Sequence, residues 1–387
     1  MASHKHRIGI VGANWSLKVH GTAWRLLPGV EVAAVCTAHR ETAEAAAQAF
    51  GVPRAYWDVA KMLADPDLTI IDVGTKPSLR YDMVMGALRA GKHVYNCLPF
   101  ATDLGRAREQ LAAQRAARRV GVVDAQFRWT PAGRFMKRLI DDGAIGQPLG
   151  FSVQLLLPLR NEGEGKLYPH SVWPEGGISP YKWLAEKSSG AGGWRNFGMH
   201  AVLFLMHLLG PVTKAVGAIR TGVPQWQLPD GSRLTPETED LGCAVLQLRN
   251  GAIGTIQTGW AQPDGQYLRV ELWGDRGRLL LDDPSFGDGV SARLRRGEAH
   301  IPGPGETSGK EVEIPAEFFR VAGTPMTREN AMPYVSSMCH LFGDMLRSIE
   351  NAEEGSPSFA EAVHAHSVME AVLEGNRMVW PEALAIA

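Results

Sequence analysis

The sequence predicts an α/β protein, with a doubly wound parallel sheet first and then an α+β domain built on a large open, mostly antiparallel sheet. Three observations carry this. Short β-branched runs alternate with helical stretches across residues 8–125, the pattern of βαβ units with helices on both faces of a parallel sheet. Beyond Arg128 the apolar runs lengthen and helices become sparse. Within that second half Asn250-Gly251 separates two such runs, and Asn-Gly tolerates the positive φ angles of a two-residue hairpin turn. A length of 387 residues suits two domains, here expected at 1–127 and 128–387.

The strands expected in the first half are 8–12, 30–36, 69–74, 93–97 and 120–125. Between them, 41–50 is alanine-rich and stops at Gly51, suited to the left-handed residue after a helix. Ser78 is expected to cap a helix over 79–90 that ends at Gly91, and Thr102 to cap an Arg/Ala-rich helix reaching Arg119, since a hydroxyl accepts from the free N–H groups of a first turn. A further helix over 131–142 ends at Gly143. The second half supplies strands at 151–157, 214–220, 241–249, 252–260, 268–273 and 278–281, and helical periods at 335–349 and 359–376. Gly-rich stretches at 162–177, 188–193 and 303–309 read as loops.

Composition narrows the function. An apolar fraction of 45% with 21% charged residues excludes a generally disordered chain. Lys plus Arg is 40 against Asp plus Glu at 41, which leaves no basic footprint for nucleic acid or anionic lipid. No run approaches the ~20 apolar residues of a membrane span. Cys36, Cys97, Cys243 and Cys339 lack CxxC spacing, so neither a metal site nor a disulfide framework is expected. Residues 1–7 have no apolar signal core. The expectation is a cytoplasmic enzyme acting on a small molecule.

A dinucleotide's pyrophosphate sits where a first strand opens into a helix. The matching positions read Gly12-Ala13-Asn14-Trp15-Ser16-Leu17, so only the first glycine of G-x-G-x-x-G is present. Asn14 tolerates positive φ and Ser16 can hydrogen-bond a phosphate, which makes Gly12, Asn14, Trp15 and Ser16 candidate cofactor contacts. The alternative is an ordinary strand–helix turn with no ligand. The second expected strand ends Cys36-Thr37-Ala38-His39-Arg40, without the carboxylate that bonds a ribose 2′-hydroxyl. Thr37 and Arg40 suit a 2′-phosphate instead, favouring NADP slightly over NAD; otherwise Arg40 begins a solvated helix face.

Several stretches recur together: 8–12 followed by His20, Thr75-Lys76-Pro77, MGALRAGKHV at 85–94, Phe127-Arg128-Trp129-Thr130-Pro131-Ala132, LIDDGAIGQP at 139–148, Asn196-Phe197-Gly198-Met199-His200, and NGAIGTI at 250–256. In this order and spacing the chain resembles the Gfo/Idh/MocA family (glucose–fructose oxidoreductase, inositol dehydrogenase and relatives) over nearly its full length. The resemblance implies a Rossmann domain and a nicotinamide cofactor, with Thr75, Pro77, Asn96 and Pro99 among its contacts. It also implies homodimers or homotetramers built through the second sheet.

The resemblance marks departures too. The family's E-K-P falls on Cys97-Leu98-Pro99. Leu98 thus stands where a lysine anchors the substrate hydroxyl and nicotinamide ribose and assists proton transfer, which leucine cannot do. Asn196 replaces the aspartate of D-x-G-x-H, and Arg80 replaces a histidine. The Gal80-like branch, which includes dinucleotide-binding regulators, is similar in lacking the lysine and in placing a tryptophan before K-x-H, as in Trp15 and Lys18-Val19-His20. Pro99 fits the family's enzymes better.

The resemblance implies that His200 lines the substrate pocket as acid/base, imidazole being suited to proton transfer near neutral pH, and that Asn196 positions substrate; otherwise His200 is a packed core histidine. Tyr181 and Lys182 lie in a loop that can supply the missing proton donor, or form an ordinary surface loop. Arg128 and Arg195 suit a substrate carboxylate or phosphate, or else pair with local acids. Cys97 lies on the substrate side; as a nucleophile it lacks a His–Asp partner placed by spacing, and buried cysteine behaves as a small hydrophobe. The leading expectation is hydride transfer between nicotinamide and a sugar, polyol or other cyclic alcohol. A non-catalytic dinucleotide sensor, or redox-neutral elimination or epimerisation on a tightly held cofactor, are the alternatives.

Overall fold

The computed structural model describes residues 5–157, 160–161, 166–167, 182–227, 232–260, 262, 267–284, 291–298, 309–332 and 334–375. Most of the loops expected at 162–177 and 303–309, and the last residue of the helix expected to reach 376, lie outside them. Six strands form a parallel sheet: β1 (His6–Val11), β2 (Val30–Cys36), β3 (Arg54–Tyr56), β4 (Ile70–Val73), β5 (His93–Asn96) and β6 (Gly121–Val123). Their order is β3-β2-β1-β4-β5-β6, so the winding reverses beside β1 and a crevice opens at the carboxyl ends of β1 and β4. Five of these strands are where the β-branched runs are. β3 carries only Arg-Ala-Tyr at the sheet edge, half-buried, too short and polar to show a pattern.

The connecting helices are α1 (Gly21–Leu26), α2 (Arg40–Phe50), α3 (Val59–Leu63), α4 (Pro77–Arg89) and α5 (Leu104–Ala117). Gly51, at φ 58°, closes α2 as expected. Two expected caps are corrected. Ser78 lies inside α4, which starts one residue earlier on Pro77 with Lys76 at the cap; proline's fixed φ and missing N–H suit a first helical position. Asp103, not Thr102, caps α5, accepting from Arg106 N at 2.9 Å, because a carboxylate also meets the positive end of the helix dipole.

The second half contributes α6 (Pro131–Asp141), β7 (Pro148–Leu156), β8 (Arg160–Asn161), β9 (Lys166–Leu167), α7 (Met199–Leu209), β10 (Val212–Arg220), β11 (Trp226–Gln227) and β12 (Arg233–Leu234). It continues with β13 (Leu241–Leu248), β14 (Ile253–Gly259), β15 (Tyr267–Gly274), β16 (Gly277–Asp283), β17 (Arg293–Glu298), β18 (Lys310–Val312), α8 (Val335–Asn351) and α9 (Phe359–Glu374). Eight of these strands make one open sheet, β10-β13-β14-β7-β15-β16-β17-β18, antiparallel except where β14 runs parallel to β7. The β13–β14 hairpin turns at Asn250-Gly251, with Gly251 at φ 92°. The inner face of the sheet buries Phe151, Val153, Leu246, Ile256, Val270 and Leu279 against helices that include α7, itself apolar and almost wholly buried.

Helix α8 returns to the first sheet. The Trp24 ring of α1 stacks on Phe342 at 3.8 Å, and Tyr95 of β5 meets the same ring edge-on at 4.9 Å. Beneath them the Asp72 carboxylate pairs with His20 Nδ1 at 3.1 Å and accepts from Trp24 Nε1 at 3.0 Å, all three side chains shut off from solvent. Burial opposes charge on His20, but Asp72 overrides it and holds the imidazole above its ordinary pKa. The pairing therefore stabilises fully below about pH 6.5 and fades as pH rises through the raised value. Asp72→Ala strands both donors, and urea unfolding near pH 6 is expected to show a loss of about 3–5 kcal/mol.

Candidate active site

The turn after β1 is built for close backbone approach. Gly12 has φ 113°, and a Cβ there would lie 3.3 Å from the Gly74 carbonyl; a Cβ on Gly74 would sit 1.6 Å from Ser16 Oγ. The ends of β1 and β4 thus approach closely with the Ser16 side chain packed onto Gly74, a turn of small residues that fits a pyrophosphate at a helix start. Asn14 keeps a negative φ, so Gly12 alone takes the special backbone conformation. Ser16 donates its hydroxyl to the Gly74 carbonyl at 3.1 Å, and Trp15 packs edge-on to Tyr334 at 5.3 Å. Residues Ser16–His20 form a π turn before α1, a distortion frequent at functional sites.

At the end of β2, Thr37 shares a hydrogen bond with Thr42 and donates to His39 O. Arg40 is exposed on the first turn of α2, 2.8 Å from Glu44 and 5.1 Å over the Trp57 ring. Thr75 bonds Met83 Sδ, and Pro77 starts α4. Asn96 is fully engaged inside the protein: its amide donates to Phe100 O and Gln110, and its oxygen accepts from Arg80. Arg80 also donates to the carbonyls of Cys97 and Pro99, and burial lowers its pKa to about 10. These bonds hold the segment that carries Leu98, itself buried.

Cys97 stands within 4.8 Å of His20 and Asp72 ligand-type atoms, a constellation that spacing did not place. Burial first, then the charges of Asp124 and Asp72, push its thiol well above the ordinary range. Asp72 is already spent on His20 and Trp24. His20 and Asp72 form a hydrogen-bonded support beside Cys97, and the thiol is not a prepared nucleophile.

From the second half, a π turn (Trp194–Gly198) runs directly into α7 and presents Asn196 and His200. His200 is buried, its ring edge-on to Phe127 at 5.5 Å, and its Nδ1 has no hydrogen-bond partner. Burial lowers its pKa below 6.5, partly offset by Asp124. Arg128 and Arg195 are turned away from substrate binding by their own partners. Arg128 bonds Glu361 at 2.9 Å and Ser356 at 3.1 Å; Arg195 bonds Glu370 and Thr102 O, both at 2.9 Å. Lys182 is exposed on a short 3-10 turn, and Tyr181 lies outside the described residues. Gly74 and Asp124 were not anticipated; the available signal was that both end apolar strands at the sheet's carboxyl edge.

Comparison with known proteins agrees with this layout. Residues 6–124 match the oxidoreductase family model with an NAD-binding Rossmann fold, and 134–280 match the GFO/IDH/MocA C-terminal domain. Levoglucosan dehydrogenase of Pseudarthrobacter phenanthrenivorans is 23% identical over 397 residues, covering 95% of each chain. D-apiose dehydrogenase of Paraburkholderia graminis is 37% identical over 139 residues, 36% of this chain and 37% of that one. Among solved structures, levoglucosan dehydrogenase in complex with NADH and levoglucosan superposes with a TM-score of 0.80 at 20% identity, covering 96% of this chain and 97% of that one; at such identity the likeness is one of fold. The two family models account in order for the nucleotide turn, the crevice and the sheet behind α7, and the chain belongs to the GFO/IDH/MocA oxidoreductase family.

Proposed function

We propose that the protein transfers a hydride between C4 of a nicotinamide dinucleotide and a hydroxyl or carbonyl carbon of a sugar, polyol or other cyclic alcohol. The observation that carries this is His200: a buried imidazole whose burial lowers its pKa, on a helix packed against the 126–129 turn that follows β6. When bound, the nicotinamide supplies the two-electron acceptor. The protein's part is to orient the alcohol, with Asn196 as a hydrogen-bonding side chain one turn before His200, to exclude water, and to take the hydroxyl proton on His200. The names of the relatives, sugar dehydrogenases among them, support the substrate class. His200→Gln is expected to lower kcat for alcohol oxidation by about 10²–10⁴-fold while cofactor binding, followed by fluorescence, stays within about threefold. Because the working base is the neutral ring, wild-type oxidation falls as pH drops through an apparent pKa below about 6.5.

A second reading, dinucleotide binding without turnover as in a sensor, is favoured by Leu98 and Asn196 alone. Tight NAD(H) binding with no absorbance change at the nicotinamide band across a broad carbohydrate panel would select it.

For the cofactor, the absence of a carboxylate at residues 36–40 and the exposed Arg40 favour NADP slightly. Arg40→Ala is then expected to raise KM for NADP by about tenfold and leave NAD unchanged; equal effects on both would remove the preference.

Residues 1–127 are assigned to the cofactor and 128–387 to substrate and self-association. The outer face of the large sheet leaves Val216, Val245, Ile253 and Trp273 exposed, with Val216 directly opposite Val245 in the register, an apolar stripe suited to a second copy. No helix among the described residues is long and apolar enough to cross a membrane, and the four cysteines are unpaired, as suits the cytoplasm. Val245→Glu is expected to convert the dimer or tetramer to a smaller species in sedimentation velocity; a monomeric wild type would overturn the assignment.

A further inference from the structure

At the carboxyl edge of the parallel sheet one indole stands largely in solvent. Trp57 is 45% exposed and belongs to neither apolar core. It follows β3 directly. β3 runs parallel to β2 with Tyr56 opposite Cys36, and the Thr37 N–H donates to Tyr56 O at 3.1 Å. Trp57 is therefore set beside the residues that end β2. In a sheet of this winding, those residues meet the ribose of a dinucleotide's adenosine half.

What the indole touches is Arg40, whose guanidinium carbon lies 5.1 Å over the ring, within cation–π range. Arg40 opens α2, and its Nε donates to Glu44 at 2.8 Å one turn along. Among the described residues its terminal nitrogens make no hydrogen bond. A guanidinium stacked by one face keeps its in-plane N–H groups free for an anion, which is how arginine reads phosphate. The neighbouring hydroxyls are occupied. Thr37 and Thr42 bond one another at 2.6 Å, and both donate to His39 O. The acids facing the same place are Glu41 and Glu44 on α2 and Asp58, which follows Trp57 and caps α3. They act against a bound phosphate, and Glu44 does so by holding Arg40 itself. That pair is exposed on both sides, and an exposed i,i+4 ion pair gives way readily.

We propose that Trp57 is a positioning residue for cofactor choice: its indole is the shelf that holds the Arg40 guanidinium where its terminal N–H groups meet a 2′-phosphate, while Glu44 competes for the same guanidinium and keeps the preference for NADP slight. The inference rests on the reading of Arg40 as the 2′-phosphate contact. Without the shelf, a long exposed side chain spreads over many rotamers, and binding must then order it at an entropic cost. A cofactor that lacks the 2′-phosphate draws nothing from the free N–H groups of Arg40, so it is indifferent to whether the shelf is there.

The test measures binding to the full chain by titration calorimetry, with adenosine 2′,5′-bisphosphate and 5′-AMP as probes that differ only in the 2′-phosphate. Trp57→Ala is expected to weaken the bisphosphate by about fivefold and leave 5′-AMP within about twofold. Trp57→Phe, which keeps an aromatic face, should retain most of the bisphosphate affinity. Glu44→Gln should tighten the bisphosphate by about threefold, and a weaker bisphosphate in that variant overturns the competition. A second readout is indole fluorescence: the wild-type-minus-Trp57→Phe difference should change on adding the bisphosphate and less on adding 5′-AMP. Equal losses for both probes in Trp57→Ala, or no loss for either, overturn the proposal. Arg40→Ala separates it from the reading beneath. If Arg40→Ala weakens the bisphosphate selectively while Trp57→Ala does not, the shelf alone is wrong. If Arg40→Ala does not discriminate, or the wild type binds the two probes equally, the NADP preference falls and the shelf with it.

Discussion

The geometry of the site hangs on one buried cation. Arg80, on α4, donates to Asn96 Oδ1 at 3.1 Å, to the Cys97 carbonyl, and to the Pro99 carbonyl at 2.5 Å. Burying a guanidinium without a contacting carboxylate is costly, and burial draws its pKa down to about 10. It nonetheless stays charged near neutral pH, since several acceptors converge on its planar fork. Asn96 extends the tie by donating to Phe100 O at 3.0 Å and to Gln110 at 3.2 Å, so the segment after β5 is held from α4 and α5 together. Leu98 is rigid for that reason, and whatever its neighbours do is done against a fixed wall.

That wall changes the electrostatics of the crevice. Leucine at this position offers its surroundings neither a charge nor a hydrogen-bond donor. The ionisable groups toward the carboxyl edge include Asp124, the Cys97 thiol with Asp72 and His20 beside it, and His200. In a poorly solvated place a carboxylate raises the proton affinity of its neighbours, and its influence reaches His20, Tyr95, Cys97 and His200 alike. The result is a thiol whose pKa is pushed well up and an imidazole whose pKa burial lowers, the lowering partly offset by Asp124. The same low dielectric that penalises an unpaired carboxylate oxygen gives it leverage over its neighbours.

Much of the architecture was legible because it is written in local pattern. β2 begins and ends where its β-branched run does, Gly51 closes α2, and Asn250-Gly251 makes its hairpin. Gly12 was legible as a conformational requirement. Features that depend on partners distant in sequence were not. β3 shows no pattern because an edge strand needs little burial. Gly74 matters only because Ser16, fifty-eight positions away in sequence, packs on it. Arg128 and Arg195 have a guanidinium's usual options until Glu361 and Glu370 are placed beside them, and those acids come from α9 at the far end of the chain. Asp124 reads in sequence as the polar end of a strand; only the register with β5 brings it beside Cys97.

Arg195 and Arg80 also explain how the two halves of the molecule meet at the segment after β5. Arg195 joins the π turn before α7 to Thr102 O at 2.9 Å and to Glu370 of α9. His366 of α9 donates from Nε2 to Ala101 O at 3.0 Å. The segment from Asn96 to Thr102 is therefore gripped on one side by Arg80 from the parallel sheet's own helices and on the other by α9 and the π turn. His200 follows that π turn within one helical turn and a half of Arg195, so a guanidinium engaged with protein atoms also anchors the start of the helix that carries the imidazole. A displacement of about 1 Å between a base and its proton is enough to cost a hundredfold in rate, and a bidentate, ion-paired guanidinium restrains such displacement better than a single-point ammonium would. The charge that looked suited to hold substrate instead holds the residue that would act on it.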